Sequence, residues 1–556
     1  MRRDPSRLTI SEFDLLIVGA GIYGAIAAWD ATQRGLSVAL IDKGDLGSGT
    51  SFNNAKTVHG GVRSLQRGHL GEMREYLRER RALLRILPHL VHPLPFLLPT
   101  SRALTRHRAT LGVYFRLNDL LARDRNDLAD PSKHLPASHL VSRDECLRLA
   151  PGIDPDGVTG GVVWHDAQFS NSDRAELAFI STAVRHGLVA ANYVEATSLL
   201  SNEGRTSGVM AHDHVTDRPF PIRARAVLLA AGGWTDAWLA QALPRPRRVV
   251  PAWSVAMNLV MSGVPGTHAV GGSARGRLFF LAPWRGAVIG GTSHDPWPGR
   301  ADQLSPRRED LEQLLDDLRA AFPRAGLEAD RIRLVHRGLL PATVANASRV
   351  TLLRDSALVD HAADGCRQLL SLVGVRYTTA RQSAERAIDL VVRGLGVTAR
   401  PCATAVTPLD GGRIDRFDRF AADAGHSGAD QVERDRIARL VVTYGTAWPD
   451  VLALGRAGVE QPAEGAAPGG LLRPLGATCA VTGAEILYAC REEMAVHLTD
   501  ALLRRTEAGT RGHPGADAVQ AAARVMGQAL GWAARRQVEE TRAVDRVYDT
   551  PLGRGN

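Results

Sequence analysis

An α/β architecture is predicted for this chain: a Rossmann-like dinucleotide-binding sheet, an antiparallel sheet inserted into it, and an all-helical C-terminal region. Three observations predict it. First, the short apolar run Leu15 to Val18 ends in Gly19, Gly21 and Gly24, at the G-x-G-x-x-G spacing. Second, apolar residues alternate through the stretches between Val255 and His294, as antiparallel strands require. Third, beyond Pro401 the pattern changes to helix-forming segments alone.

The run from Asp14 is too short for a helix and reads as a strand buried on both faces of a parallel sheet. Gly19 permits the tight turn, Gly21 lets a pyrophosphate approach the backbone, and Gly24 allows close packing of the following helix. The helix start offers free N–H groups to the phosphates, and Asp42, ending the second strand, can accept from a ribose hydroxyl. A purely structural turn is the alternative, and the motif alone does not separate a nicotinamide from a flavin. The small-residue loop from Lys43 to Ser51 reads as a second phosphate cradle, with a plain surface loop as the alternative. In Asn54 to Arg63, the adjacent Gly60 and Gly61 let the backbone approach something flat, with His59 and Arg63 flanking them.

Leucines at helical spacing from Gly71 to Leu87 predict a helix whose charges, such as Glu75 and Arg78, form a solvated face without chemistry. Pro88, Pro93, Pro95 and Pro99 break up the apolar stretch Leu90 to Leu98, which reads as an interface segment or one that dips into a membrane surface. A basic, helical excursion over 100–150 follows, and Gly160 to Asp166 reads as a strand resuming the first sheet. Asp173 to His186 reads as a helix; Ala190 to Val194 and Val209 to Asp213 read as strands. Ala226 to Trp234 is an apolar strand ending in a second glycine turn that can meet the same nucleotide. A helix over 303–322 and strands Ile332 to Leu340 and Leu369 to Gly374 come next, the last leading into Thr378, Thr379 and a helix through Val391. In the C-terminal region a capping box at Thr482 and Glu485 opens a helix through about Arg505, Ala516 to Ala543 is helical, and 461–470 is a loop.

Composition bounds the function. With 556 residues the chain exceeds a single hydrophobic core. The formal charge of +9 rests on arginine, because Lys43, Lys56 and Lys133 are the only lysines. Such an excess suits phosphorylated substrates or an anionic membrane surface, while no basic run interleaved with aromatics suggests nucleic acid. The five cysteines form no C-x-x-C pair, which argues against a disulfide framework and against a metal or iron–sulfur site. No apolar run of spanning length and no cleaved targeting segment is read, so a cytoplasmic protein is expected.

Taken together, Asp14 to Gly24, Gly49-Thr-Ser51 with Lys56, His59 to Arg63, Pro88 to Phe96, Pro283-Trp284, Gly374 to Thr379 and Ala489 to Met494 give a chain that resembles the FAD-dependent glycerol-3-phosphate dehydrogenases, a branch of the D-amino-acid-oxidase-like flavoproteins. The resemblance implies an FAD-binding domain in segments of about 10–65, 150–250 and 345–400, a substrate or cap domain in 66–149 and 251–344, and a helical domain over 401–556. It implies FAD contacts from Gly19, Gly21, Gly24, Asp42, Lys43, Thr50, Ser51, Lys56, His59, Gly60, Val194, Ala230, Gly232, Trp234, Gly374 and Thr378. It further implies oxidation of the secondary alcohol of glycerol 3-phosphate or a related phosphorylated polyol, by hydride transfer to the flavin N5. His59, Arg63, Arg354 and Arg376 stand at the substrate side, His59 as a proton acceptor or merely a flavin hydrogen-bond partner. Quinone or oxygen as electron acceptor, peripheral contact with the inner face of the cell membrane and a homodimer also fit the family.

Departures from the family pattern cluster on the substrate side. Leu340 in Gly338-Leu-Leu-Pro341 replaces an arginine, Ser64 a tyrosine, Arg376 a lysine, and His294 stands where an acid is common. Losing a guanidinium removes charge-assisted hydrogen bonds of about 1.5–3 kcal/mol each, and Arg337 faces the other side of the same strand. The alternatives are therefore a flavin oxidase or dehydrogenase acting on a different hydroxy or amino substrate, or a flavin-bound partner without turnover.

Overall fold

The computed structural model describes residues 1–553 except 63, 65–67, 246, 265, 347–348 and 461–469. Two large sheets face each other. In the first, five parallel strands run in the order Leu369–Val373, Arg218–Leu229, Phe13–Val18, Val38–Ile41 and Val189–Ala191, with Ala357–Asp360 antiparallel at one edge. Phe13–Val18 lies in the middle with five of its six residues buried, as its unbroken apolar run requires. The helix Ile22–Gln33 that follows is alanine-rich and buried along most of its length, between this sheet and the helices Ser172–Arg185 and Ala380–Leu395. Gly24 sits where the helix crosses the strand end, and a Cβ there would collide with the Gly19 carbonyl oxygen.

The second sheet has the order Arg349–Leu352, Ile332–Asn346, Ala252–Met261, Ala287–Pro296, Arg277–Trp284, Ala269–Ala274, Val91–Thr100, Gly160–Phe169 and Thr57–Val58. Its pairings are antiparallel except that of Ala269–Ala274 with Val91–Thr100. Both the Rossmann-like sheet and the inserted antiparallel sheet are thus present.

Several local expectations are overturned. Gly160–Phe169 does not resume the parallel sheet; it pairs with Val91–Thr100 over ten residues. Pro93, Pro95 and Pro99 fall at alternate positions, so their missing N–H groups all lie on one edge of that strand and the other edge remains free to pair. The Leu90 to Leu98 stretch accordingly does not dip into a membrane: Leu90, Val91, Leu94, Phe96 and Leu97 are core residues. The 100–150 segment is not purely helical, since His139–Val141 is a strand on Gly160–Phe169. Nor is the helix Leu70–Ile86 a solvated face. Glu79 bonds Arg381 at 2.6 Å, Arg80 pairs with Asp166, and Glu75 meets Arg386 rather than Arg78. Glu72, Arg74, Glu75, Glu79 and Arg80 are spent on ion pairs to other elements, while Arg78 is exposed.

Beyond Pro401 the chain is not helical throughout, because Pro474–Gly476 and Cys479–Thr482 form a hairpin. The Thr482 amide donates to Glu485 as the capping box requires, yet that helix stops at Glu492, before a positive φ at Met494. Gly531, at φ +69°, divides the last helical stretch into Ala516–Leu530 and Ala534–Tyr548. The loop expected over 461–470 lies almost wholly outside the described residues.

A buried cluster is among the contacts by which the C-terminal region grips the first sheet. Arg505 bonds both carboxylate oxygens of Asp45, at 2.6 and 2.8 Å, and Arg504 adds a third bond at 2.6 Å. Burial alone would raise the Asp45 carboxyl, but the two guanidiniums hold it well below the usual carboxylate range. Asp45 opens the loop that runs on to Ser51, so this clamp fixes one wall of the site.

Candidate active site

A cavity of about 1760 Å³ opens between the C-terminal ends of the parallel strands and the face of the antiparallel sheet. That is the place where open α/β sheets bind ligands, and the volume exceeds the usual range for a single small molecule. Its floor is Gly19, Gly21, Asp42, Ala230, Gly232 and Gly374; its roof includes Asn258, Phe280, Thr292, His294 and Leu340.

One end is made of backbone. At Gly19, φ is +106° and a Cβ would lie 2.5 Å from the Ala230 oxygen; at Gly21 it would enter the space beside Ser51 Oγ. Helix Ile22–Gln33 begins here at Gly21, which has no side chain to cap it, so beyond the Ile22 amide its first turn presents amides and the positive end of its dipole to the cavity. Ser51 Oγ accepts from the Ile22 amide at 2.9 Å, tying the second loop to the first. Asp42 accepts from the amides of Ala20 and Gly44 at 2.7 and 2.9 Å, and burial pushes its carboxyl up to about 6. Lys43 lies over the Trp234 ring, and both side chains reach Asp302. Gly374 is required because a Cβ would enter the ring of Tyr23, whose hydroxyl donates to the Arg376 carbonyl at 2.7 Å. The fingerprint and the last strand are thereby locked together. A helix start on a glycine, beside a side-chain-free channel and a carboxylate, fits the pyrophosphate and ribose of a dinucleotide.

Of the residues assigned to the cofactor, Gly19, Gly21, Asp42, Lys43, Thr50, Ser51, His59, Ala230, Gly232, Trp234, Gly374 and Thr378 line the cavity. Thr50 does so with its hydroxyl engaged by the backbone of Leu339. Four others are placed differently. Gly24 serves helix packing, and Val194 is buried behind Asp42, whose carbonyl its amide bonds at 2.7 Å. Gly60 makes room for the Arg80–Asp166 pair. Lys56 is buried, with its ammonium on the Phe52 carbonyl at 2.7 Å, Ser172 at 2.9 Å and Asp173 at 3.6 Å. Burial lowers the Lys56 pKa and raises that of Asp173. Lys56 therefore braces the loop from behind.

The other end of the cavity is made of side chains. His59 is exposed to it, with Nε2 2.9 Å from Thr57 Oγ1. Arg354 and Arg376 both line it, and Arg376 donates to the Arg354 carbonyl at 2.6 Å. Arg63 lies outside the described residues. Leu340 and Ser64 face the cavity, whereas Arg337 is turned away onto the Leu304 carbonyl. Two of the lining residues that the sequence reading does not single out bear on the chemistry. Glu72 and Tyr76 come from the helix read as a solvated face, Glu72 bonding Arg376 at 2.8 Å and Tyr76 lying beneath the same guanidinium. Their i, i+4 spacing in register with the apolar Met73 and Leu77 was the available signal.

Comparison with known proteins agrees with this geometry. A family model described as FAD dependent oxidoreductase matches residues 14–351, more than half of the chain. A second, described as the C-terminal domain of alpha-glycerophosphate oxidase, matches residues 402–537. Glycerol-3-phosphate dehydrogenase 2 of Mycobacterium tuberculosis is 31% identical over 537 residues, covering 95% of this chain and 86% of that protein. The mitochondrial glycerol-3-phosphate dehydrogenase of Mesocricetus auratus is 30% identical over 586 residues, covering 98% and 76%. Among solved structures, the glycerol-3-phosphate dehydrogenase from Bacillus halodurans complexed with FAD aligns with a TM-score of 0.76 at 25% identity, covering 98% of this chain and 95% of that one. The chain belongs to the FAD-dependent glycerol-3-phosphate dehydrogenase family of oxidoreductases.

Proposed function

We propose that the protein is an FAD-dependent dehydrogenase that oxidises the secondary alcohol of glycerol 3-phosphate to a ketone. The observation that carries this reading is one continuous cavity holding the dinucleotide cradle at one end and Arg354, Arg376 and His59 at the other. Bound FAD supplies the hydride acceptor. Glycines 19 and 21, the start of helix Ile22–Gln33 and Asp42 hold the nucleotide. His59 takes the hydroxyl proton, a role suited to a side chain type whose proton affinity lies near neutrality. Arg354 and Arg376 face the phosphate. Anaerobic addition of glycerol 3-phosphate to the FAD-loaded protein tests the reading: bleaching of the flavin band at low millimolar substrate is expected, and no bleaching would sink it.

A second reading, a hydroxy substrate without phosphate, is favoured by Leu340, which presents an apolar side chain to the cavity. Bleaching with unphosphorylated alcohols alone would select it.

In this proposal the electrons pass to a quinone at a membrane surface. No helix among the described residues is long and apolar enough to cross a membrane, so contact is peripheral. Support comes from helix Arg108–Leu121 and the turn before it. Val113, Leu117 and Leu120, at i, i+4 and i+7, are 67%, 45% and 65% exposed, and Leu104 is 81% exposed. Exposed Arg102, Arg108, Arg116 and Arg123 surround them. An apolar stripe ringed by arginine suits an anionic lipid surface. Co-sedimentation with anionic vesicles, reversed by salt and lost in Val113→Ser/Leu120→Ser, is expected; salt-insensitive behaviour identical to that on neutral vesicles would count against it.

A further inference from the structure

Three strands of the first sheet, Arg218–Leu229, Phe13–Val18 and Val38–Ile41, lie side by side, with the fingerprint turn at the end of the middle one. The two outer strands run on into Gly232 to Trp234 and into Asp42 and Lys43, about 10 Å apart at the strand spacing of a sheet. Asp302 joins them. Its Oδ1 accepts from the Lys43 ammonium at 2.9 Å and from the Trp234 indole at 2.5 Å, and the same ammonium lies 4.6 Å from the centre of the Trp234 ring. The bonds from Trp234 and Lys43 hold the Asp302 carboxyl below the usual carboxylate range. Asp302 belongs to neither outer strand: it sits on the short turn Ala301–Gln303, which follows Ala287–Pro296 of the second sheet. Trp297, Ala301 and Leu304 seat that turn on the core beneath the second sheet, and Arg300 and Asp302 line the cavity.

We propose that Asp302 is a cofactor-gating residue: the latch of a bar, carried by the second sheet, that joins the two walls of the dinucleotide crevice and opens for FAD to enter or leave. A dinucleotide seated at the end of the middle strand is flanked by both outer strands, so it passes the bridge between them on its way in or out. The proposal concerns the cofactor and holds whichever alcohol is oxidised. Lys43 and Asp302 are 37% and 46% exposed, whereas the Asp45 carboxylate, two residues along the same loop from Lys43, is fully buried on Arg505. An exposed ion pair is individually weak and is screened by salt. The loop is thus fixed at Asp45 and releasable at Lys43, as a gate requires. A gate also differs from a direct ligand contact in its kinetics. A contact slows departure alone; a gate slows entry and departure together, because the open form is the minor population in both the empty and the loaded protein.

The test follows flavin fluorescence as FAD leaves the diluted holoprotein and as it binds the apoprotein, in wild type, Asp302→Ala and Asp302→Asn. Asp302→Ala should release FAD about five- to tenfold faster and bind it faster by a similar factor, so that Kd changes by less than about twofold. Asp302→Asn, whose carbonyl still accepts from Trp234 but attracts Lys43 less, should fall between. Salt at about 0.5 M should speed release from wild type and leave Asp302→Ala unchanged. Faster release with an unchanged association rate would overturn the gate and make Asp302 a plain contact of the bound ligand. Unchanged release in Asp302→Ala, or a salt effect of equal size in wild type and Asp302→Ala, would overturn it as well.

Discussion

The two ends of the cavity are built from different materials. The nucleotide end is backbone: Gly19, Gly21 and Gly374 are small because a neighbouring atom or the ligand channel occupies the place of a Cβ, and amides and a helix dipole do the binding. The substrate end is long side chains from four remote segments, Glu72 and Tyr76, Leu340, Arg354 and Arg376, held by ion pairs rather than by the chain trace. A backbone cradle changes only when the fold changes. A side-chain site is re-specified by one or two substitutions, and here the departures from the family pattern gather at that end.

The largest expected effect tests what supports the nucleotide end. Asp45→Asn leaves Arg505 buried without its carboxylate, while Arg504 keeps Asp500 at 2.7 Å, and should cost about 3–5 kcal/mol in urea unfolding. The sign with pH follows from the depressed folded-state carboxyl: its stabilisation is complete above the ordinary aspartate range and is lost as pH falls toward the folded value. Wild type should therefore lose more stability on acidification than the variant. Next, Gly21→Val keeps an allowed backbone, since φ is −71°, but fills the channel beside Ser51. FAD should bind on the order of a hundredfold more weakly, about 2.7 kcal/mol, with unchanged circular dichroism; normal flavin content would break the claim that this end is a backbone cradle.

Leu340→Arg probes the other end. A restored guanidinium should improve kcat/KM for glycerol 3-phosphate by about 1.5–3 kcal/mol, or roughly 10–150-fold; unchanged kinetics would mean that Leu340 did not redirect the site. The smallest effect concerns Asp42. Its carboxyl is pushed up to about 6, and a ribose hydroxyl donates to the ionised form. FAD affinity should fall about tenfold per pH unit below that value, and Asp42→Asn should flatten the profile in fluorescence titrations.

The same contrast explains what was legible beforehand. Gly19, Gly21, Gly24 and Asp42 declare themselves through local spacing, because a tight turn and a buried parallel strand are decided within a dozen residues. Glu72 does not, since a glutamate in an arginine-rich helix reads as solvated until Arg376, some three hundred positions later, is placed beside it. The stretch Gly160 to Asp166 reads as a strand of the other sheet for a related reason: its apolar run fits either, and the proline-free edge of Val91–Thr100 is where it pairs. The break at Met494 depends on a left-handed backbone at a residue type that gives no warning of it. Gly60 reads as room for something flat, whereas the bulk beside it is the Arg80–Asp166 pair.

The grip of Arg504 and Arg505 on Asp45 also sets an order of events. The partners are about 460 positions apart in the chain, so on a nascent protein the wall from Asp45 to Ser51, held early by Ile22 and Asn192, gains its two cations only when nearly the whole length has been made. Contacts of such separation form late. Flavin capture is thereby coupled to completion of synthesis, and a chain ending before Leu498 should assemble the parallel sheet yet release its cofactor on dilution.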